Sequence, residues 1–84
     1  MRFNEWKVLA MHKLITLYDK FKDNRQIAAD LNFLIIKLKE LRARDISSFL
    51  FYVHQVRDSR KIDELKEINP DIGELKKMLE ESEE

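Results

Sequence analysis

Few residues in this chain could carry chemistry. His54 and Asp58 stand one helical turn apart, so an imidazole and a carboxylate could close on one metal ion. A zinc site takes three or four protein ligands, and the only other histidine, His12, lies far off in the chain. The pair is therefore read as a histidine on a helix flank beside a carboxylate. Nucleophilic catalysis needs a hydroxyl, thiol or amine next to a base. Cysteine is absent, which removes disulfides and thiolate chemistry and suits a reducing cytosol. The hydroxyls are Thr16, Ser47, Ser48, Ser59 and Ser82, with Tyr18 and Tyr52. Ser47 and Ser48 follow Asp45, where small polar residues open a helix, and no glycine is near to shape a nucleophile elbow. Asp30 and Glu40 lie off the apolar stripe of their helix and read as solvated rather than as a catalytic carboxylate pair. The sequence predicts no enzyme, no cofactor, no metal site and no small-molecule substrate.

Two further groups could act by binding. Lys37, Lys39, Arg42 and Arg44, joined by Arg57, Arg60 and Lys61, are basic enough to contact phosphates without reading bases if they gather at one end of a bundle. Residues 1–62 carry 13 Lys and Arg against 7 Asp and Glu, whereas residues 63–84 carry 3 against 9. A basic body with an acidic tail results, and the net charge of zero gives no overall attraction to a polyanion. Residues Arg25 to Leu31 resemble the first helix of a helix-turn-helix, but Phe33-Leu34-Ile35-Ile36 follows with no turn residue. The second group is apolar. Trp6, Met11, Tyr18, Phe33, Ile36, Phe51 and Tyr52 sit at the edges of their helical stripes or beyond them. Aromatic residues and Met are enriched at interface centres, and several exposed together form a patch large enough to mean association. The sequence thus predicts a small protein-interaction module, either a homodimer or a regulator, adaptor or inhibitor of a larger protein. Nucleic-acid binding through the basic surface is the alternative.

These side chains need helices to position them. The central segment Arg25 to Leu41 places apolar residues at 27, 31, 34, 35, 38 and 41, which draw one stripe at about 100° per residue. Asp23 with Gln26 has the spacing of a capping box, and basic Arg42 to Arg44 suit the helix end. Before it, a helix is expected from Asn4 as cap, with Phe3 and Val8 as a hydrophobic staple. Its apolar residues cover more than half the circumference, so it should touch two helices, or one helix and a partner. A third helix is expected from Asp45 as cap, with Ile46, Phe49, Leu50, Val53 and Val56 inward and Phe51 and Tyr52 off the stripe. Asp58 to Lys61 breaks that pattern, with Ser59 as a candidate cap; Ile62, Leu65 and Ile68 then suggest a short fourth helix. Asn69 and Pro70 read as the cap and first turn of a last helix carrying Ile72, Leu75, Met78 and Leu79.

With one Gly and one Pro in 84 residues, 44% hydrophobic and 38% charged, the chain reads as all-α, a small bundle of four to five helices. Three main antiparallel helices are expected, with one or two short C-terminal ones. One domain is expected over residues 1–79, followed by an acidic frayed tail over 80–84. No apolar run approaches the ~18 residues that span a bilayer, and residues 1–5 hold no apolar signal core, so the expected location is cytoplasmic, away from membranes.

Overall fold

The computed structural model describes residues 2–81, and every regular element in that span is helical. Four α-helices run Phe3–Lys20 (α1), Arg25–Lys39 (α2), Ile46–Arg60 (α3) and Ile72–Glu81 (α4). Two 3₁₀ segments, Ala43–Asp45 and Asp63–Ile68, lie on either side of α3. The expected all-α bundle of three long helices and short C-terminal pieces is the observed architecture.

The apolar stripe of α2 is its foundation. Leu31, Leu34 and Leu38 are fully buried, and the helix runs unbroken through Phe33 to Ile36. Around them close Trp6, Ala10, Leu14 and Leu17 from α1, and Ile46, Phe49 and Val53 from α3. The 3₁₀ segment explains why Ile62, Leu65 and Ile68 recur every third residue. At about three residues per turn they form one row, and all three are buried. Met78 alone anchors α4 in the core, with Leu75 and Leu79 half-buried beside it, whereas Ile72 of the expected stripe is exposed.

The helix ends differ from expectation in several places, each for a local reason. α1 begins at Phe3 with Arg2 in the cap position and no side-chain cap, so Asn4 is inside the helix, and Val8 is exposed rather than stapled to Phe3. Asn24, not Asp23, caps α2 by accepting from the Ile27 N–H at 3.1 Å. Gln26 receives Arg60 instead of completing a capping box. α2 stops at Lys39, before Arg42. Asp45 holds the cap position of α3, but its side chain makes no capping bond. α3 continues through Asp58 and Ser59 to Arg60, so Ser59 caps nothing. The chain turns at Lys61, which takes the left-handed conformation at φ 57°, and the Ile62 N–H bonds back to the Arg57 carbonyl at 3.1 Å. Asp71, not Asn69, caps α4, accepting from the Glu74 N–H at 2.8 Å. Glu80 and Glu81 of the expected tail belong to α4, and residues 82–84 lie outside the described ones. Glu81 shares a cleft with Arg2 to Glu5, the start of α1, where a negative charge suits the helix dipole.

Long-range polar contacts tie the layers. The Trp6 indole N–H donates to the Ile68 carbonyl at 2.7 Å, joining α1 to the 3₁₀ segment. Lys7 Nζ donates to the Lys39 and Leu41 carbonyls at 3.1 and 3.0 Å, satisfying acceptors left open at the end of α2. Arg60 donates to Asp30 at 2.6 Å and binds α3 to α2. Lys13–Glu67 and Lys20–Glu64 pairs hold the 3₁₀ segment against α1. The Cα trace measures 41 × 20 × 17 Å. Helices pack about 8–10 Å apart, so the shortest dimension holds about two helix layers. Each long helix therefore keeps one face at the surface.

Candidate protein-interaction surface

The apolar residues expected at an interface separate into one that is buried and six that are accessible to differing degrees. Trp6 is a correction. It is 3% exposed, stacked edge-on with Phe49 at 6.1 Å and hydrogen-bonded to Ile68, so it is a core residue with no surface to offer a partner. Met11 is half-buried against the core. Tyr18, Phe33, Ile36, Phe51 and Tyr52 are all exposed.

The structure places the exposed residues in two areas. The first runs along the seam between α2 and α3. Phe33 and Tyr52 meet edge-on at 5.6 Å between ring centroids, and Phe51 meets Tyr52 at 6.2 Å. Lys37 Nζ lies 5.5 Å from the Phe33 ring, in the range of a cation–π contact. Tyr52 also borders a cleft of 280 Å³ with Lys37, Glu40 and Ser48.

The second area lies between α1 and α2. Val8, Met11 and Ile15 line an open groove of 520 Å³ with Asn4, Lys7, His12 and, from α2, Lys39. Val8 is 69% and Ile15 52% exposed. Tyr18 continues the row one turn after Ile15, and Ile36 stands one turn before Lys39. Val8 and Ile15 are interface candidates that sequence reasoning assigned to the helix-one stripe as a whole. Their signal was present: positions 8, 11, 15 and 18 alternate spacings of three and four, the seam of a packed helix pair.

The basic group does not gather. Lys37, Lys39, Arg42 and Arg44 lie where α2 ends and α3 begins, while Arg57, Arg60 and Lys61 lie at the other end of α3. About 15 residues at ~1.5 Å each put roughly 20 Å between the two groups. Several of these charges are also engaged. Arg60 holds Asp30 and Gln26, and Arg57 holds Asp58 at 3.1 Å and His54 Nε2 at 2.8 Å. Their separation follows from antiparallel packing, which brings the start of α2 to the end of α3. A single phosphate-contacting surface built from all seven is therefore not formed.

His54 and Asp58 both turn to Arg57, and His12 borders the α1–α2 groove. Among the described residues no three His, Cys, Asp or Glu side chains are grouped to hold a metal ion. No helix of the described residues is long and apolar enough to cross a membrane. Comparison with protein-family models, with curated proteins and with solved structures finds no match to this chain.

Proposed function

We propose that this chain is a small cytoplasmic protein-interaction module that works by docking its apolar outer surface on a folded protein. One observation carries the reading. Val8, Leu9, Ile15, Tyr18, Phe33, Ile36, Phe51 and Tyr52 are each at least 38% exposed although the chain has only 84 residues. All eight lie on the three long helices, whose inner faces already supply a filled core. Single exposed apolar residues are ordinary, but rows of them along helix faces mark association surfaces. Covering the part of each such side chain that is still exposed is worth on the order of 1 kcal/mol, so the surface has binding energy to offer.

The test compares the purified chain with a variant carrying Val8→Ser, Ile15→Ser, Ile36→Ser and Phe51→Ser. Light scattering over a concentration series reads mass, and circular dichroism confirms that helicity is retained. The expected result is that the natural chain forms a complex of fixed stoichiometry, with itself or with a co-purifying protein, and that the variant does not. A natural chain that stays at 10.2 kDa, brings no protein with it and matches the variant in every measurement would overturn the reading.

A further inference from the structure

The groove between α1 and α2 carries charge of one sign as well as apolar surface. Val8, Met11 and Ile15 line it beside Lys7 and Lys39, and among the described residues no carboxylate does. The Lys39 and Leu41 carbonyls hold Lys7 in place. They leave its charge uncompensated, and its ammonium keeps a third N–H to donate. Lys39 is exposed and pairs with no carboxylate of the described residues. Arg25, at the start of α2, is exposed and unpaired in the same way. It stands about 21 Å from Lys39 along α2 and about 40° around the helix, so both face one side. Ile36 lies between them, about 60° around from Lys39.

The nearest carboxylates face elsewhere. Lys7 points toward α2, and Asp19 and Glu5 lie about 120° and 160° around α1 from it. Asp19 also pairs with Lys22 at 3.5 Å. On α2, Asp30 holds Arg60 of α3, and Glu40 borders the α2–α3 cleft. Cations therefore line the valley, and the acidic residues of α1 stand on its outer rim.

From this we infer that the groove takes one amphipathic helix of a partner protein, with Asp or Glu at both ends of its apolar stripe. The inference rests on the protein-binding reading and gives the partner its chemistry. Shape and charge both select it. A valley between two packed helices accepts the side-chain ridges of a third, and an apolar stripe laid in such a groove is a common mode of recognition. The cations set the length. About 21 Å is roughly four turns of helix. Acidic residues at one end of the partner helix meet Lys7 and Lys39, and those at the other end meet Arg25. Opposed charges of this kind speed encounter and turn away basic competitors.

Two other anionic surfaces fit less well. A bilayer is flat, so it would press on the α1 rim as well as the valley and bring Glu5 and Asp19 against its own charge. Duplex DNA offers about 12 phosphates over that length against three cations, and its phosphates gain nothing from Val8 and Ile15. A narrow acidic helix touches the cations and the apolar row and stays clear of the rim.

Two fluorescein-labelled peptides of about 18 residues test this, long enough to form a helix in the groove. Both carry Leu at spacings of three and four with Ala between. One has Glu flanking each end of the Leu stripe, and the other has Lys there. Fluorescence anisotropy with the full chain at low salt should give the acidic peptide a Kd on the order of 10 μM, as suits a small transient interface. The basic peptide should bind at least tenfold more weakly, and added salt should narrow the gap. Arg25→Glu combined with Lys39→Glu should reverse the preference. Ile15→Ser combined with Ile36→Ser should weaken the acidic peptide at least tenfold, while Phe51→Ser on α3 leaves it unchanged. All five residues are exposed, so the core is untouched, and circular dichroism checks helicity. Amide NMR shifts on adding the acidic peptide should fall at Ile15 and Ile36. An acidic peptide that does not bind, that binds no tighter than the basic one, or that shifts Phe51 and Tyr52 instead overturns the inference. So does a chain that ignores the peptide yet binds phosphatidylserine vesicles or a short DNA duplex through Arg25 and Lys39. A complex in the light-scattering series would then leave the broader reading standing.

Discussion

At the scale of single residues, the structure assigns work to side chains that look interchangeable in the sequence. Lys61 is the clearest case. It ends α3 in a left-handed conformation, which costs a residue with a Cβ about 1–2 kcal/mol. Glycine carries no such cost but loses more chain entropy on folding, so Lys61→Gly should stabilise by up to about 1 kcal/mol in urea denaturation. Lys61→Ala, which keeps the Cβ, should not. The broken stripe over Asp58 to Lys61 marks a break in the helix, but nothing singles out Lys61 as its left-handed residue, because the turn lacks the glycine that usually announces one. Lys20 and Glu64 give a second case. The ammonium of Lys20 donates to the Glu64 carboxylate at 2.8 Å; together with a backbone hydrogen bond, this holds the carboxyl below the ordinary glutamate range. The folded pKa is therefore lower than the unfolded one. Its stabilising effect is complete above the unfolded value and fades as pH falls through the folded one. In Lys20→Met the midpoint of the Glu64 side-chain carbon resonance in an NMR titration should move back up. Trp6 shows the opposite difficulty. Its aromatic edge suggested a contact residue, but its indole N–H finds an acceptor 62 positions along the chain, a pairing that no local pattern reveals.

At the scale of elements, the inward stripes were legible and the caps were not. The α2 stripe at 31, 34 and 38 and the α3 stripe at 46, 49 and 53 are fully or almost fully buried, because helical periodicity is a property of the whole segment. Leu34→Ala or Leu38→Ala should each cost about 2–5 kcal/mol in a urea melt, since both are fully buried in the middle of the core. A cap depends on one or two residues, and here competent ones stand side by side. Asp23 and Asn24 could both cap α2, as Asn69 and Asp71 could both cap α4. The choice is made by backbone direction: the Asn24 N–H bonds the Phe21 carbonyl at 2.9 Å, closing a turn that aims its side chain at Ile27. Asn24→Ala should therefore cost about 1 kcal/mol while Asp23→Ala costs little, a difference that paired thermal melts would resolve. For a related reason the sequence predicts a short fourth helix at Ile62, Leu65 and Ile68 without showing that it is 3₁₀. A three-residue spacing over only two turns fits either geometry, and contact with α1 decides it.

At the scale of the whole molecule, thinness makes the outer faces informative. A body about two helices thick cannot enclose α1 on all sides, although α1 is apolar over more than half its circumference. The sequence showed that excess but not which part of it would face outward, because the inward direction exists only once α2 and the 3₁₀ segment have taken their places. With them placed, Trp6, Ala10, Leu14 and Leu17 point inward, and Val8 and Ile15 are left for another surface. If that surface is an acidic partner helix, folding and binding are linked, and apparent stability must rise with the amount of helix present. A ligand at about ten times its Kd adds about 1.4 kcal/mol. For a domain of this size that raises the melting temperature by roughly 6–11 °C. Thermal melts followed by the fluorescence of buried Trp6, with and without unlabelled acidic peptide, should show this rise in the natural chain. In the variant with Arg25→Glu and Lys39→Glu the midpoint should stay constant. A midpoint in the natural chain that does not move with the peptide would mean that the α1–α2 face does not hold such a helix in the folded state.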